Sequence, residues 1–498
     1  MFQSATDLPN NTELECDLCI VGGGVAGITI AREFAGSKLK VIVLESGGEG
    51  FDLPTQELYN GESSGTPAAR RKNYLVGSRL RFLGGSSNHW AGYCRPLDPI
   101  DFIPREWLPG SGWPFRRTEI EPWFARAAAV LEIKPFKELS EPKTDTSIAL
   151  IPAESEFDLR YFYFSPPTRF GFRYKDELAS AENIQVLTMA NVTGVQLTPN
   201  GSAVSQLSVA TLSGRSHTVK AKRYVLALGG VENARLLLLS NGVQKNGVGN
   251  SHDLVGRYFM EHPQFPAGYL VVRDLVRSLQ FLKRRPSPGL GHDVRAVLTV
   301  KPEVLEREKL NNVSIQVDKV ERKPESLPTQ VQAMEKMLRS LHREGGKEPR
   351  VDFAQLYVRM EQLPNRESRV VLDDSRDALG QSRSKLIWKL SEHEHRTGHR
   401  IMQLLAGELG SREAGRVISS EGDAPWLRLE VSSHHLGTTR MDPDSTRGVV
   451  DTNCTVHGVD NLHVAGSSVF PSGGFANPTF TIVALALRLS DRLKGLLK

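Results

Sequence analysis

Cysteine is scarce in this chain. Cys16, Cys19, Cys94 and Cys454 are the only four in 498 residues, too few and too unevenly spaced for the disulfide framework of a small secreted scaffold. Cys16 and Cys19 form a C-x-x-C, but on a strand segment with Cys19 pointing into the sheet rather than at a helix N-terminus, which argues against a redox or metal role. Long apolar runs are also missing, and no window reaches the ~18 residues that a membrane span needs. The first residues, MFQSATDLPNNTELE, lack a basic region followed by an apolar one and lack a twin arginine. A cytoplasmic protein is therefore the expectation, with export alongside a signal-bearing partner left open. Charge of one sign is not in excess: 62 basic against 57 acidic residues leave +5, too little and too mixed to argue for nucleic acid. Internal repeats and low-complexity segments are absent. What remains is an ordinary globular composition, 39% hydrophobic and 24% charged, long enough for two domains and a large core.

The strongest local signal is DLCIVGGGVAGITIAREFAGSKLKVIVLE, from Asp17 to Glu45. Leu18, Ile20 and Val21 form a buried-strand run that stops at Gly22-Gly23-Gly24-Val25-Ala26-Gly27, a G-x-G-x-x-G opening a helix. Gly22 permits the tight turn, Gly24 lets backbone N–H groups approach a pyrophosphate at the helix N-terminus, and Gly27 lets helix and strand pack closely. Val41 to Leu44 make the next strand. Glu45 then stands where an acid accepts from a ribose 2′-OH, so the unit expects FAD or NAD rather than NADP and does not choose between them.

Farther on, the run from Gly77 to Gly92, GSRLRFLGGSSNHWAG, is too rich in glycine and small polar residues for core. It offers N–H groups and hydroxyls to something flat or anionic, as an isoalloxazine ring with its phosphates would require. His89 reads as a cofactor contact or attachment point, or else as a histidine hydrogen-bonded in a turn. Six prolines between Pro96 and Pro122, with Trp107, Trp113 and Trp123, mark a turn-rich cover. From Asn183 to Val225 short alternating strands predict a hairpin-like insertion, in which Asn191, Val192 and Thr193 could flank an adenine. Tyr224 to Leu228 then lead through Gly229-Gly230 into a second strand–turn–helix element. From Phe265 to about Trp426 the strand-like pieces GYLVV, VRAVLTV, VSIQV, FAQLYV and SRVVL alternate with polar connections. Two helices are predicted there, at 330–342 and 395–409, the first amphipathic with Val331, Met334, Met337, Leu338 and Leu341 on one face. His393, His395 and His399 lack the carboxylates or thiolates that would complete a metal site.

The last stretch returns to chemistry. His434 and His435 precede the glycine turn of HHLGTTRM, Leu462-His463-Val464-Ala465-Gly466-Ser467 is a strand running into a small-residue turn, and Asn477 and Thr479 open the terminal helix. A histidine and an asparagine converging on a flavin would serve as base and hydrogen-bonding partner.

These pieces, in this order, resemble the glucose–methanol–choline (GMC) oxidoreductases. The residues that carry the resemblance are the Gly22–Gly27 fingerprint with Glu45, GGSSNHW (84–90), ALGGVENARLLL (227–238), VGRYFMEHP (255–263), EQLPNRESRVVL (361–372), HHLGTTRM (434–441) and VAGSSVFPSGGFANPTFTIVALALRLSD (464–491). Within the family the sequence is most like the pyranose oxidase and sugar dehydrogenase branch, because of NHW and because the second active-site position holds Asn477.

The resemblance implies an α/β chain: a Rossmann-like FAD-binding domain built from residues 1–110, 183–264 and 427–498, a connection and cover over the flavin at 111–182, and an α+β substrate domain with a mixed or antiparallel sheet at 265–426. It makes His434 the catalytic base and Asn477 its partner. It places Gly22, Gly24, Gly27, Glu45, Ser46, Gly85, Ser87, Asn88, His89, Val192, Ala465, Gly466 and Thr479 around FAD. His89 matches the position that pyranose oxidases bond covalently to the flavin; Asn88 replaces their threonine, and related branches often lack the bond. The implied reaction is oxidation of a secondary alcohol of a sugar or glycoside to a ketone, hydride passing to flavin N5, with oxygen or another acceptor reoxidising the cofactor. A non-sugar alcohol or a lyase reaction in biosynthesis, or a non-catalytic flavin-binding or electron-transfer subunit, stays open, as does the oligomeric state.

Overall fold

Strands from distant parts of the chain meet in two large sheets and one small one. The computed structural model describes residues 1–136, 154–273, 282–287, 289–319, 329–340, 351–412, 414–419 and 428–498. Among these, the first sheet runs in the order Phe2–Ser4, Ile184–Thr188, Val41–Leu44, Thr12–Val21, Ser216–Leu226, Val204–Ala210, Asn191–Leu197, with Leu462–Val464 alongside the end of Ser216–Leu226. Its centre is parallel. Leu18, Ile20, Val41, Val43 and Leu226 are wholly buried, which is why these strands read as continuous apolar runs rather than alternations. The helix Val25–Glu33 packs against the long C-terminal helix Thr479–Leu496, so the first and last α-helices of the described residues are neighbours.

The second sheet is antiparallel, in the order Arg416–Ser419, Gln264–Arg273, Val351–Met360, Val313–Lys319, His292–Val300, Phe157–Phe164, Tyr93–Cys94, with Arg285–Ser287 paired to His292–Val300. The described residues are thus α/β, with a parallel-centred sheet assembled from distant segments and a separate antiparallel sheet. Two strands of the second sheet come from before residue 265: Phe157–Phe164, and Tyr93–Cys94 beside it. The predicted strand SRVVL does not join that sheet. It lies in Arg369–Arg376, which pairs with Ser382–Trp388, and that strand in turn takes Gly61–Gly65 as a parallel neighbour. GESSG has no strand propensity of its own; it sits there because Gly65, at φ +101°, brings its Cα against the Trp388 backbone, where any Cβ would lie 1.9 Å from the carbonyl oxygen.

Both predicted helices of the middle region form. Thr329–Ser340 packs on Gln264–Arg273 and Val351–Met360 with Val331 buried, but Met337 is 45% exposed, so its apolar face is narrower than the sequence pattern; Leu341 lies outside the described residues. Glu392–Ser411 starts on a capping box between Ser391 and Glu394, the pattern in which side chains satisfy the first free N–H groups. No helix among the described residues is long and apolar enough to cross a membrane. The four cysteines are free, and burial with the neighbouring Cys16 thiol pushes the Cys19 thiol well up.

Candidate active site

One cavity of about 680 Å³ runs from the Gly22 turn to the start of the C-terminal helix. At its first end the helix Val25–Glu33 opens on Gly24 with no side-chain cap, leaving the first-turn N–H groups to an incoming anion. Gly22 has φ +107°, and a Cβ there would meet the Ala227 carbonyl oxygen at 2.6 Å. A Cβ on Gly24 would meet nothing within 4 Å: the space before it is open. At Gly27 a Cβ would lie 1.9 Å from the Gly22 carbonyl oxygen, the close helix–turn approach for which the third glycine exists. Glu45 accepts from Gly23 N–H (2.8 Å) and Gly47 N–H (2.9 Å), while burial pushes its carboxyl up. Ser46 Oγ donates to Asn191 Oδ1 (2.5 Å) and accepts from Arg81 Nε (2.6 Å).

Behind this end lies a buried ion cluster. Glu232 receives Arg79 (2.8 Å), Arg235 (3.2 Å) and Arg81 (3.3 Å), and Arg235 also pairs with Asp377 (2.6 Å). Burial alone would push Glu232 up; the guanidinium groups of Arg235, Arg79 and Arg81 outweigh it and hold the carboxyl at about 2.

Of the sequence-predicted residues, Gly22, Gly24, Glu45, Ser46, Gly85, Ser87, His89, Val192, Gly466, Thr479, His434 and Asn477 line this one cavity. Gly27, Asn88 and Ala465 do not. Asn88 Nδ2 donates to the Leu83 and Gly85 carbonyls, holding the glycine loop, and the Ala465 carbonyl accepts from Asn233 Nδ2. His89 keeps an exposed surface, and desolvation and Arg169 lower its imidazole.

At the far end four side chains form a chain of hydrogen bonds. Arg359 Nη1 donates to Asn477 Oδ1 (2.9 Å), Asn477 Nδ2 lies 3.2 Å from His434 Nε2, and His434 Nδ1 lies 2.8 Å from His262 Nδ1. Guanidinium only donates, so its partner on Asn477 is the oxygen and the amide nitrogen faces His434. His434 Nε2 then accepts, its proton sits on Nδ1, and His262 carries its own on Nε2. Neutrality of both rings follows from their surroundings: burial, His262 and Arg359 hold His434 well below the usual imidazole range, and burial with Arg359 takes His262 to about 3. Glu261 holds the backbone of His434. Its carboxylate accepts from the N–H groups of His262 (2.9 Å), His434 (2.8 Å) and Ser433 (2.7 Å), and Ser433 is kept in the left-handed region at φ +59°. Burial pushes Glu261 up to about 7.

His435 points away from this chain: its Nε2 lies 3.1 Å from the Tyr74 hydroxyl, between the Tyr74 and Phe259 rings, and burial and Arg79 bring it to about 3. Sequence reasoning assigned no role to Glu261, His262 or Arg359. The first two were within reach as the E-H of VGRYFMEHP. Arg359 carried no signal beyond its place on the odd-numbered face of a strand whose even residues, Ala354, Leu356 and Val358, are buried.

A dinucleotide seat at one end of a cavity and a neutral histidine–asparagine pair at the other define a flavin-dependent oxidoreductase. Residues 364–486 match the family model described as GMC oxidoreductase, a family whose members bind FAD and act on CH–OH donors. It is 23% identical to the fructose dehydrogenase large subunit of Gluconobacter japonicus over 98% of this chain and 99% of that one. It is 32% identical to a C-glycoside 3-oxidase of Arthrobacter globiformis over 25% and 23%. In structure it is similar to pyridoxine 4-oxidase from Mesorbium loti, with TM-score 0.61, 18% identity and 96% and 99% of the two chains covered.

Proposed function

We propose that this chain oxidises a secondary alcohol of a sugar or glycoside to a ketone, with His434 as the base. The observation that carries the reading is the orientation of His434: neutral, with Nε2 accepting and facing Asn477 across the cavity. FAD fits the chain by the uncapped helix at Gly24, the open space in front of it and the cavity leading on to His434. Gly22, Gly24, Glu45, Ser46, Val192, Gly85, Ser87, His89, Gly466 and Thr479 would hold it, and when bound it would supply the hydride acceptor, later reoxidised by oxygen or another acceptor.

The substrate hydroxyl takes the place at His434 Nε2 and gives its proton there, since a carbinol carbon releases hydride readily only as the O–H bond is lost. The C–H pair of electrons leaves with that hydrogen, and C=O forms. Asn477 Nδ2 donates to the same oxygen. Its amide cannot turn, because Arg359 claims Oδ1. His262 accepts from His434 Nδ1–H throughout and so keeps the base in its productive tautomer. The likenesses to a fructose dehydrogenase and a C-glycoside oxidase support a sugar-type alcohol.

His434→Ala should leave a folded, yellow protein whose flavin is reduced by substrate about 100- to 10,000-fold more slowly, read by anaerobic bleaching. Near-normal bleaching would remove the role given to His434. Acid denaturation of the parent protein reads the flavin link in the same preparation: yellow supernatant means FAD held without a bond to His89, yellow precipitate a covalent one.

A further inference from the structure

Arg359 is a partly buried cation with no carboxylate partner among the described residues. Its Nε and Nη2 donate to Gln264 Oε1 (3.0 and 2.8 Å) and its Nη1 to Asn477 Oδ1 (2.9 Å). Three of five N–H groups are thus spent on two neutral amides, and one on each terminal nitrogen has no partner among the described residues. Elsewhere buried guanidinium groups are differently engaged: Arg79, Arg105 and Arg235 each pair with a carboxylate at 2.8 Å or less, and Arg440, which has none, lies over the Tyr258 ring and donates to the Gly110 carbonyl. Arg359 also faces the cavity. The acids that line the cavity, Glu45, Glu232 and Asp377, belong to the dinucleotide end and are already engaged. Beside Arg359 the lining offers Tyr93 and Gln264, neither of them acidic.

A desolvated guanidinium with spare donors is costly until an anion reaches it, and a planar carboxylate is the group its geometry suits best. Arg359 and His434 hold the two ends of one amide, so a molecule bound between them presents a charged group and a hydroxyl a few bonds apart. We propose that the substrate of this site is a carboxylate-bearing alcohol, a uronic or aldonic acid or its glycoside, whose carboxylate is bound by Arg359 while the hydroxyl meets His434. This rests on the alcohol-oxidising reading above and names the substrate class within it. Burial lowers Arg359 from its ordinary value, a cost that the bound carboxylate offsets.

The test uses the FAD-loaded protein and matched substrates. Anaerobic flavin reduction is followed with methyl glucuronide against methyl glucoside, gluconate against sorbitol, and glucosamine as a cationic control. The acid of each pair is expected to reduce the flavin with a kcat/KM about 10- to 100-fold above its neutral match, chiefly through KM, with an advantage that shrinks as salt rises. Arg359→Gln should bring that ratio close to one and Arg359→Lys should recover part of it. Separately, acetate, which has no alcohol to oxidise, is titrated against the flavin absorption spectrum. Saturable perturbation in the parent protein, lost in Arg359→Gln, supports the anion site; no saturable perturbation, neutral substrates equal to or better than their acids, or a preference that survives Arg359→Gln overturns it. If no alcohol of either kind bleaches the flavin, the alcohol-oxidising reading fails, and the acetate titration still decides the anion site by itself. If Arg359→Gln yields no soluble flavoprotein, the substrate ratio and acetate titration of the parent protein decide.

Discussion

Glu261 sets the pH behaviour expected of His434, the proposed base, whose backbone it supports. Neutral Glu261 has one good acceptor oxygen where three backbone N–H groups need two, so its protonation loosens Ser433 and His434. With its carboxyl raised to about 7, the group is ionised above that pH and protonated below it. Flavin reduction should therefore rise with pH through about 7, and Glu261→Gln should remain on the low-pH plateau with no inflection, as a rate–pH profile of both proteins would show. His434, held well below its ordinary range, contributes no fall near pH 6.5. The choice between the two histidines of HHLGTTRM was open to residue chemistry and closed by resemblance to a family. In space the difference is physical: both line the cavity, but His434 meets a neutral amide, whereas His435 is spent on Tyr74.

The strand–turn–helix of residues 12–33 separates folding from cofactor binding glycine by glycine. Gly22 needs its positive φ and has a carbonyl oxygen 2.6 Å from any Cβ, so Gly22→Ala should impair the fold itself. Gly24 has φ −88°, which any residue can adopt, and a Cβ there meets only open space. Gly24→Ala should leave the apoprotein melting within a few degrees of the parent while lowering FAD occupancy, measured as the 450:280 nm absorbance ratio; full occupancy would argue that the phosphates sit elsewhere. This element was legible because every position is dictated locally, by a turn or a close approach. The small sheet was not. Gly61–Gly65 has no strand character until Ser382–Trp388, more than three hundred residues later, offers its edge.

At the scale of the whole molecule the Glu232 cluster ties three regions together: Arg79 from the glycine-rich loop, Glu232 and Arg235 from the helix Gly229–Leu239, and Asp377 from beyond the strand Arg369–Arg376. Glu232→Gln leaves three guanidinium groups short of a partner and should cost about 3–5 kcal/mol at neutral pH, read as a lower urea midpoint. The sign with acid follows from the lowered carboxyl: its stabilisation is complete above the ordinary carboxylate range of about 4.5 and is lost as pH falls toward about 2. The parent protein should lose stability across that window, and Glu232→Gln should lack this part of the slope. The sequence by itself determined the glycine turn, the parallel strands around it and the family resemblance, because turns, buried strands and contiguous motifs are short-range facts. Only the tertiary structure decided which side chains form the reactive end. His262, Arg359, His434 and Asn477 come from separate segments, and the tautomer of the base depends on the order in which one donor-only guanidinium, one amide and two imidazoles meet, which exists only once the strands carrying them are packed.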